Sequence, residues 1–296
     1  MIKSKVRAAG NSIPMTISKR KNRGSVFFTY DKREKKMKAY IATDMEGITG
    51  VCIPEQVDKT KPEYNLAQKF MVNDINAAVQ GLVEAGAGRI LVNDGHCGSY
   101  AMNFLLDEMH PKAEYVFEST NGLSGLDSSF DAVLLVGFHA MAGTHKAILD
   151  HTQSSASWQN YYLNGKKMGE IGQMAVLAGH YKIPVIFVSG DLAATKEAKA
   201  FLGKDIETVA VKEGFSRNGA ICLHPKKTYE LIREGVKKAV TKIDKIKPYT
   251  VKTPIELKLE VSKSDVADML EMQGSERINA RIVRRVVKTA LDILPF

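Results

Sequence analysis

The chain has 296 residues, 44% of them hydrophobic, which is enough for one large or two ordinary domains with a real core and excludes a disordered chain. A formal charge of +9, from 42 Lys and Arg against 33 Asp and Glu, raises the question of nucleic acid or a membrane surface. The position of that charge answers it: residues 1–36 hold eleven basic and two acidic side chains, so the rest of the chain is neutral and no nucleic-acid partner is expected.

Three cysteines, Cys52, Cys97 and Cys222, are too few and too widely spaced for a disulfide framework or a cysteine-type zinc site, so a reducing cytoplasm is the expected location. The apolar runs fall far short of the roughly 18 residues that span a bilayer, and no membrane partner is expected. Residues 1–36 have no sustained period and are broken by Lys-rich clusters, so they read as a basic, poorly ordered extension. Lys32-Arg33-Glu34-Lys35-Lys36 has the composition of a translated ribosome-binding site, which would make Met37 the natural start.

Residues 38–43 form a short apolar run that predicts a buried strand ending in Asp44. From about Glu63 to Ala85, the spacing of Leu66, Phe70, Met71, Ile75, Val79 and Leu82 predicts a helix, with Gly86 placed to cap it. Arg89–Asn93 reads as a strand, Tyr100–Met109 as a helix closed before Pro111, and Glu114–Phe117 as a strand. Asp131–Gly137 and Pro184–Gly190 are the most apolar strands, and between them Asn164-Gly165 predicts a hairpin joining Trp158–Leu163 to Lys166–Met168. A long amphipathic helix over Pro225–Ile243 and an alternating strand over Ile255–Val261 follow, while Gly274–Val283 is ambiguous between strand and helix. The rhythm predicts an α/β fold: a doubly wound, mainly parallel sheet in a three-layer α/β/α arrangement over residues 37–213, with a smaller α+β portion over 214–296.

Ligand sites in open α/β sheets lie at the carboxyl ends of the strands. There the sequence places Asp44 and Glu46, then His96 after Asn93-Asp94-Gly95, then His139 after Gly137-Phe138. Any one of these alone reads as a cap, a core hydrogen-bonding group or a surface charge. Together, two carboxylates and two imidazoles on one rim suit zinc or a similar divalent ion, and excess carboxylate favours a bridged pair. No phosphate-binding loop, dinucleotide fingerprint, H-E-x-x-H or G-x-S-x-G motif competes with this reading.

Thr43-Asp-Met-Glu-Gly47, Val92-Asn-Asp-Gly-His96, Gly137-Phe-His-Ala140, Asp150-His-Thr152 and Met168-Gly-Glu-Ile-Gly172 resemble, in order, the motif set of the M55 metallopeptidases, the D-aminopeptidase family. The resemblance runs from Met37 to about residue 245. It implies a cytoplasmic zinc aminopeptidase that cleaves short peptides with an N-terminal D-amino acid, of the D-Ala-D-Ala type, by metal-activated water. It further implies two zinc ions per subunit, bridged by Asp44 and completed by Glu46, His96, His139 and Glu170, in a site that would also accept Mn2+ or Co2+. His151 takes the family's catalytic role, moving a proton to the leaving amine or stabilising the developing oxyanion, and the subunits are expected to form a homo-oligomeric ring, often a decamer in the family. Alternatives keep the metals and change the bond to L-peptides, other amides or phosphoesters, or keep peptide binding without turnover.

The remaining polar residues read more plainly. His110, His180 and His224 are structural or surface groups, and His145 stays open as a supporting residue near the site. Asp94 is a candidate to orient His96 or a neighbouring backbone group. Asp191 reads as a helix N-cap, and Cys97 as a packing residue. Arg281, Arg284, Arg285 and Lys288 read as a solvated helix face.

Overall fold

In chain order the elements of this computed structural model begin with β1 (Lys38–Thr43), α1 (Tyr64–Glu84), β2 (Arg89–Asn93), β3 (Glu114–Val116) and β4 (Ala132–Phe138). The hairpin β5 (Trp158–Leu163) and β6 (Lys166–Lys167) follows, then α2 (Glu170–His180), β7 (Val185–Asp191) and α3 (Leu192–Leu202). The last elements are β8 (Glu207–Ser216), β9 (Gly219–Cys222), α4 (Pro225–Val240), β10 (Ile255–Val261), α5 (Ser264–Met272), β11 (Glu276–Arg277) and β12 (Ile282–Val287). Residues 36–97, 102–117 and 122–296 are described, so the expectation for the basic extension falls outside them except at Lys36. Residues 37–296 form one compact unit.

Among the described residues the strands build two sheets. The larger runs β3-β2-β1-β4-β7-β8-β9, parallel throughout except for the antiparallel edge pair β8–β9. β1 shows why its sequence is apolar without alternation. Ala39 and Ile41 enter a core shared with α1 and α4, whereas Tyr40 and Ala42 enter the opposite core, with α2, α3 and the smaller sheet. The expected α/β class is therefore what the chain adopts, with helices on both faces. No helix among the described residues is long and apolar enough to cross a membrane.

Three expectations need correction. The division drawn at residue 214 falls inside β8, and α4 belongs to the main layers, packed so tightly on α1 that a Cβ on Gly81 would lie 2.6 Å from the Arg233 carbonyl oxygen. The smaller sheet, β11-β12-β10-β5-β6, is antiparallel and draws its strands from both halves of the chain.

Within the described part of the helix expected over Tyr100–Met109, only one 3-10 turn forms, Leu106–Glu108. The Asp94 carboxylate takes both the backbone N–H (2.7 Å) and the side-chain amide (2.5 Å) of Asn103, and so offers this segment an alternative to helical hydrogen bonds.

The Arg281, Arg284 and Arg285 stripe lies on or beside β12 rather than on a helix. β-Branched neighbours pair there with β10, and Arg284 bonds Glu256 and Glu276 at 2.7 Å each. The hairpin turn is as expected, with Asn164 at φ 49° and Gly165 at φ 79°.

Candidate metal centre

β1 and β4 are neighbours, yet the chain continues from β1 toward β2 and β3 on one side and from β4 toward β7 and β8 on the other. The crevice at the carboxyl ends of such a pair is the topological switch point, where open sheets bind ligands. Asp44 directly follows β1, His139 directly follows β4, and His96 lies three residues beyond β2. The loops are drawn together by hydrogen bonds from the Asp44 N–H to the Val136 carbonyl (2.9 Å) and from the Gly47 N–H to the Gly137 carbonyl (2.7 Å).

Two groups of ligand atoms result: Asp44, Glu46 and His96, and His139, His151 and Glu170. Asp44 joins them, since its Oδ1 lies 3.2 Å from His96 Nδ1 and its Oδ2 lies 3.2 Å from His139 Nε2. Glu46 Oε2 is 3.2 Å from His96 Nδ1, and Glu170 Oε1 is 3.4 Å from His139 Nε2 and 3.7 Å from His151 Nε2. The second group thus sets His151, which the family resemblance assigned to catalysis, beside His139 and Glu170.

Each imidazole is oriented by a backbone carbonyl on its far nitrogen. His96 Nε2 donates to Val57 O (3.1 Å), His139 Nδ1 to Ala140 O (3.0 Å) and His151 Nδ1 to Leu149 O (2.9 Å). That leaves His96 Nδ1 and His139 Nε2 as bare lone pairs aimed at carboxylates, an arrangement that needs either a cation between them or a proton on the ring. Asp44 Oδ2, Glu46 Oε2 and His139 Nε2 are buried without a hydrogen bond. Without a metal, burial would lower the affinity of His96 and His139 for protons. The neighbouring carboxylates outweigh it, chiefly Glu46 for His96 and Glu170 for His139, and push both well above the usual imidazole range. Burial alone would raise Asp44, but its bonds to His139 and His96 hold it well below the usual carboxylate range. Two buried carboxylates and a half-buried one around three imidazoles, with Asp44 Oδ2, Glu46 Oε2 and His139 Nε2 left without a partner, fit divalent metal binding.

Glu170 opens α2, where the helix N-terminus favours an acid, and its Oε1 accepts the Gln153 N–H at 2.7 Å. Its sequence neighbourhood marks it only as a first-turn acid. The hairpin β5–β6 returns the chain to the rim, and α2 starts there.

Asp94 acts through Asn103, whose side-chain amide also donates to the His96 carbonyl at 2.9 Å, so it braces the backbone at His96. Asp191 caps α3 by accepting the Ala194 N–H, as expected, and also accepts the Ile148 N–H at 2.7 Å. His145 is exposed and belongs to neither group, and Cys97 is exposed rather than packed, at φ 58°, with Sγ 3.2 Å from His96 Nε2.

Lys212 is the residue that sequence reasoning passed over. It is 2% exposed, and its ammonium donates to the carbonyls of Glu46 (2.6 Å), Ile48 (2.7 Å) and Val51, cross-linking the loop that carries two of the carboxylates. A lysine in a strand carries no local signal of this role. The centre opens into a cavity of about 670 Å³, lined in part by Pro54, Val57, Ser154, Met174 and Arg217.

The family model described as Peptidase_M55, D-aminopeptidase, matches residues 37–296, so the match continues past residue 245 to the last strands. The D-aminopeptidase of Bacillus subtilis (strain 168) is 33% identical over 244 residues, covering 81% of this chain and 87% of that protein. A solved structure described as the Zn-dependent D-aminopeptidase DppA from Bacillus subtilis, a self-compartmentalizing protease, superposes with a TM-score of 0.83 at 30% identity, covering 87% of this chain and 94% of that one. With the fold, the extent of the family match and this identity in agreement, the chain belongs to the M55 family of D-aminopeptidases.

Proposed function

We propose that this protein is a zinc aminopeptidase that releases N-terminal D-amino acids from short peptides of the D-Ala-D-Ala type, using two zinc ions per subunit. Asp44 would bridge the ions, with Glu46 and His96 on one side and His139 and Glu170 on the other. The observation that carries the reading is the placement of the two Asp44 oxygens, each 3.2 Å from a different imidazole. Three donors per ion leave positions for water and substrate, as catalytic zinc requires. When bound, zinc supplies Lewis-acid polarisation of the scissile carbonyl and acidifies the attacking water.

The chain's own groups do the rest. With its Nδ1 proton committed to the Leu149 carbonyl, His151 presents Nε2 beside Glu170, placed to take the proton of the attacking water and return it to the leaving amine. Glu170, with Oε1 3.7 Å from that nitrogen, holds the ring face oriented above the buried Asp44. The subunit is proposed to work in a ring. Support comes from the self-compartmentalizing relative and from Phe215 and Ile221, exposed at the β8–β9 edge of the large sheet.

The test is amine release from D-Ala-D-Ala and L-Ala-L-Ala, with and without zinc, by the unaltered protein and by Glu46→Ala. Zinc-dependent cleavage of the D-peptide that the variant loses is expected. Cleavage of the L-peptide alone would keep the metal site and overturn the substrate, and zinc binding with neither peptide cut would favour another bond or a binding role.

A further inference from the structure

We propose that Arg217 is the anchor for the free carboxylate of the peptide substrate, a role that makes the enzyme select short peptides with an unblocked C-terminus. The inference rests on the peptidase reading and adds the recognition of the substrate's far end.

The cavity above the metal centre is lined by the carboxylates of Asp44, Glu46 and Glu170, and among the described residues that line it Arg217 is the one Lys or Arg. A short peptide whose scissile bond lies at the carboxylate cluster carries its own negative charge away from that cluster. Desolvating that charge without a partner would be costly, and a guanidinium fork matches it geometrically.

Arg217 is also fixed in place. It sits in the turn between β8 and β9, where its carbonyl accepts the Leu149 N–H at 2.9 Å, two residues from His151. Its Nε lies 3.2 Å from Asp150 Oδ1 and its Nη2 lies 3.4 Å from the Asp150 carbonyl oxygen. Asp150 is itself held by the Gly143 N–H at 2.7 Å. One edge of the guanidinium is thereby oriented, while Nη1 has no hydrogen bond or ion pair among the described residues and the side chain remains 45% exposed. Ser154 and Ser155 line the same cavity with neutral polar groups. A cation braced against the residue next to the proton-moving histidine couples placement of the substrate's end to placement of its amide.

The experiment compares D-Ala-D-Ala with its C-terminal amide on the zinc-loaded protein, Arg217→Gln and Arg217→Lys, with zinc content and circular dichroism recorded for each. The unaltered enzyme is expected to favour the free acid by about tenfold or more in kcat/KM, chiefly through KM. Arg217→Gln is expected to raise KM for the acid by about that factor while changing the amide less than about twofold, and Arg217→Lys to restore part of the preference. Equal slowing of both substrates in Arg217→Gln would make the residue a brace for the His151 loop and overturn the anchor. Cleavage of acid and amide alike by the unaltered enzyme would overturn it too, with the peptidase reading intact. Cleavage of neither by the unaltered enzyme would overturn that reading and the anchor together.

Discussion

The rings of His139 and His151 are stacked, with centroids 4.1 Å apart and planes 13° from parallel. Two imidazolium ions would repel at that distance, so the stack favours a state in which at least one ring is neutral, as a metal-held His139 would be. His151→Gln is expected to keep the full zinc content and to lower kcat by about 10²–10⁴-fold. Zinc analysis of the purified variant separates the roles, because loss of an ion would make His151 a ligand.

Asp44 reaches toward both groups, and Glu46 toward one. With two ions bound as proposed, Asp44→Ala is expected to lose both, whereas Glu46→Ala retains the one on the His139 and Glu170 side more firmly than the other. Zinc per subunit after dialysis checks this, and a full complement in Asp44→Ala would remove that residue from its bridging place.

Lys212 satisfies three carbonyls under the loop that bears Glu46, and burial pulls its proton affinity below that of an ordinary lysine. Lys212→Met keeps the bulk and leaves those carbonyls without their donor. A loss of about 2–4 kcal/mol in urea unfolding is expected, together with weaker zinc binding. Unchanged zinc affinity in a folded variant would confine the lysine to a stability role.

Gly137 stands at φ 79°, and a Cβ there would lie 2.2 Å from the Asp44 carbonyl oxygen. Gly165 has the same φ of 79° in open space, so Gly165→Ala carries the conformational cost alone, about 1 kcal/mol. Gly137→Ala is expected to cost about 3 kcal/mol or more, since backbone must move as well. Equal losses for the two in denaturant unfolding would show that the loops beneath the metal centre can separate freely.

Glu207 is partly buried, which would raise its pKa, but Lys242 at 2.6 Å and Lys238 at 3.3 Å hold it below the usual carboxylate value. A depressed folded-state pKa stabilises the protein above the unfolded value near 4.5 and loses that contribution as pH falls through the lower folded value. Glu207→Gln is expected to cost about 0.5 kcal/mol at pH 7, discounted for solvent screening, and nothing once the pH lies below both values. Stability curves of the two proteins that stay parallel from pH 7 to pH 3 would contradict this.

Local pattern was sufficient wherever a residue's role depends on its chain neighbours. The two-sided burial of β1 and β4, the apolar face and Gly86 stop of α1, the Asn164-Gly165 turn and the Asp191 cap are all written in spacings of a few residues. Strand ends also made Asp44, Glu46, His96 and His139 legible as one rim, because parallel strands of a doubly wound sheet bring their carboxyl ends to the same side. Glu170 required the family resemblance, since an acid in the first turn of a helix is locally ordinary. The tertiary structure alone decided that Asn103 would serve Asp94 instead of a helix, that β12 would pair with β10, and that Lys212 and Arg217 would meet loops more than 60 residues away in the chain. Periodicity records which face a residue presents, whereas a buried ammonium or a braced guanidinium is defined by atoms from distant segments that only the closed fold brings within 3 Å or so.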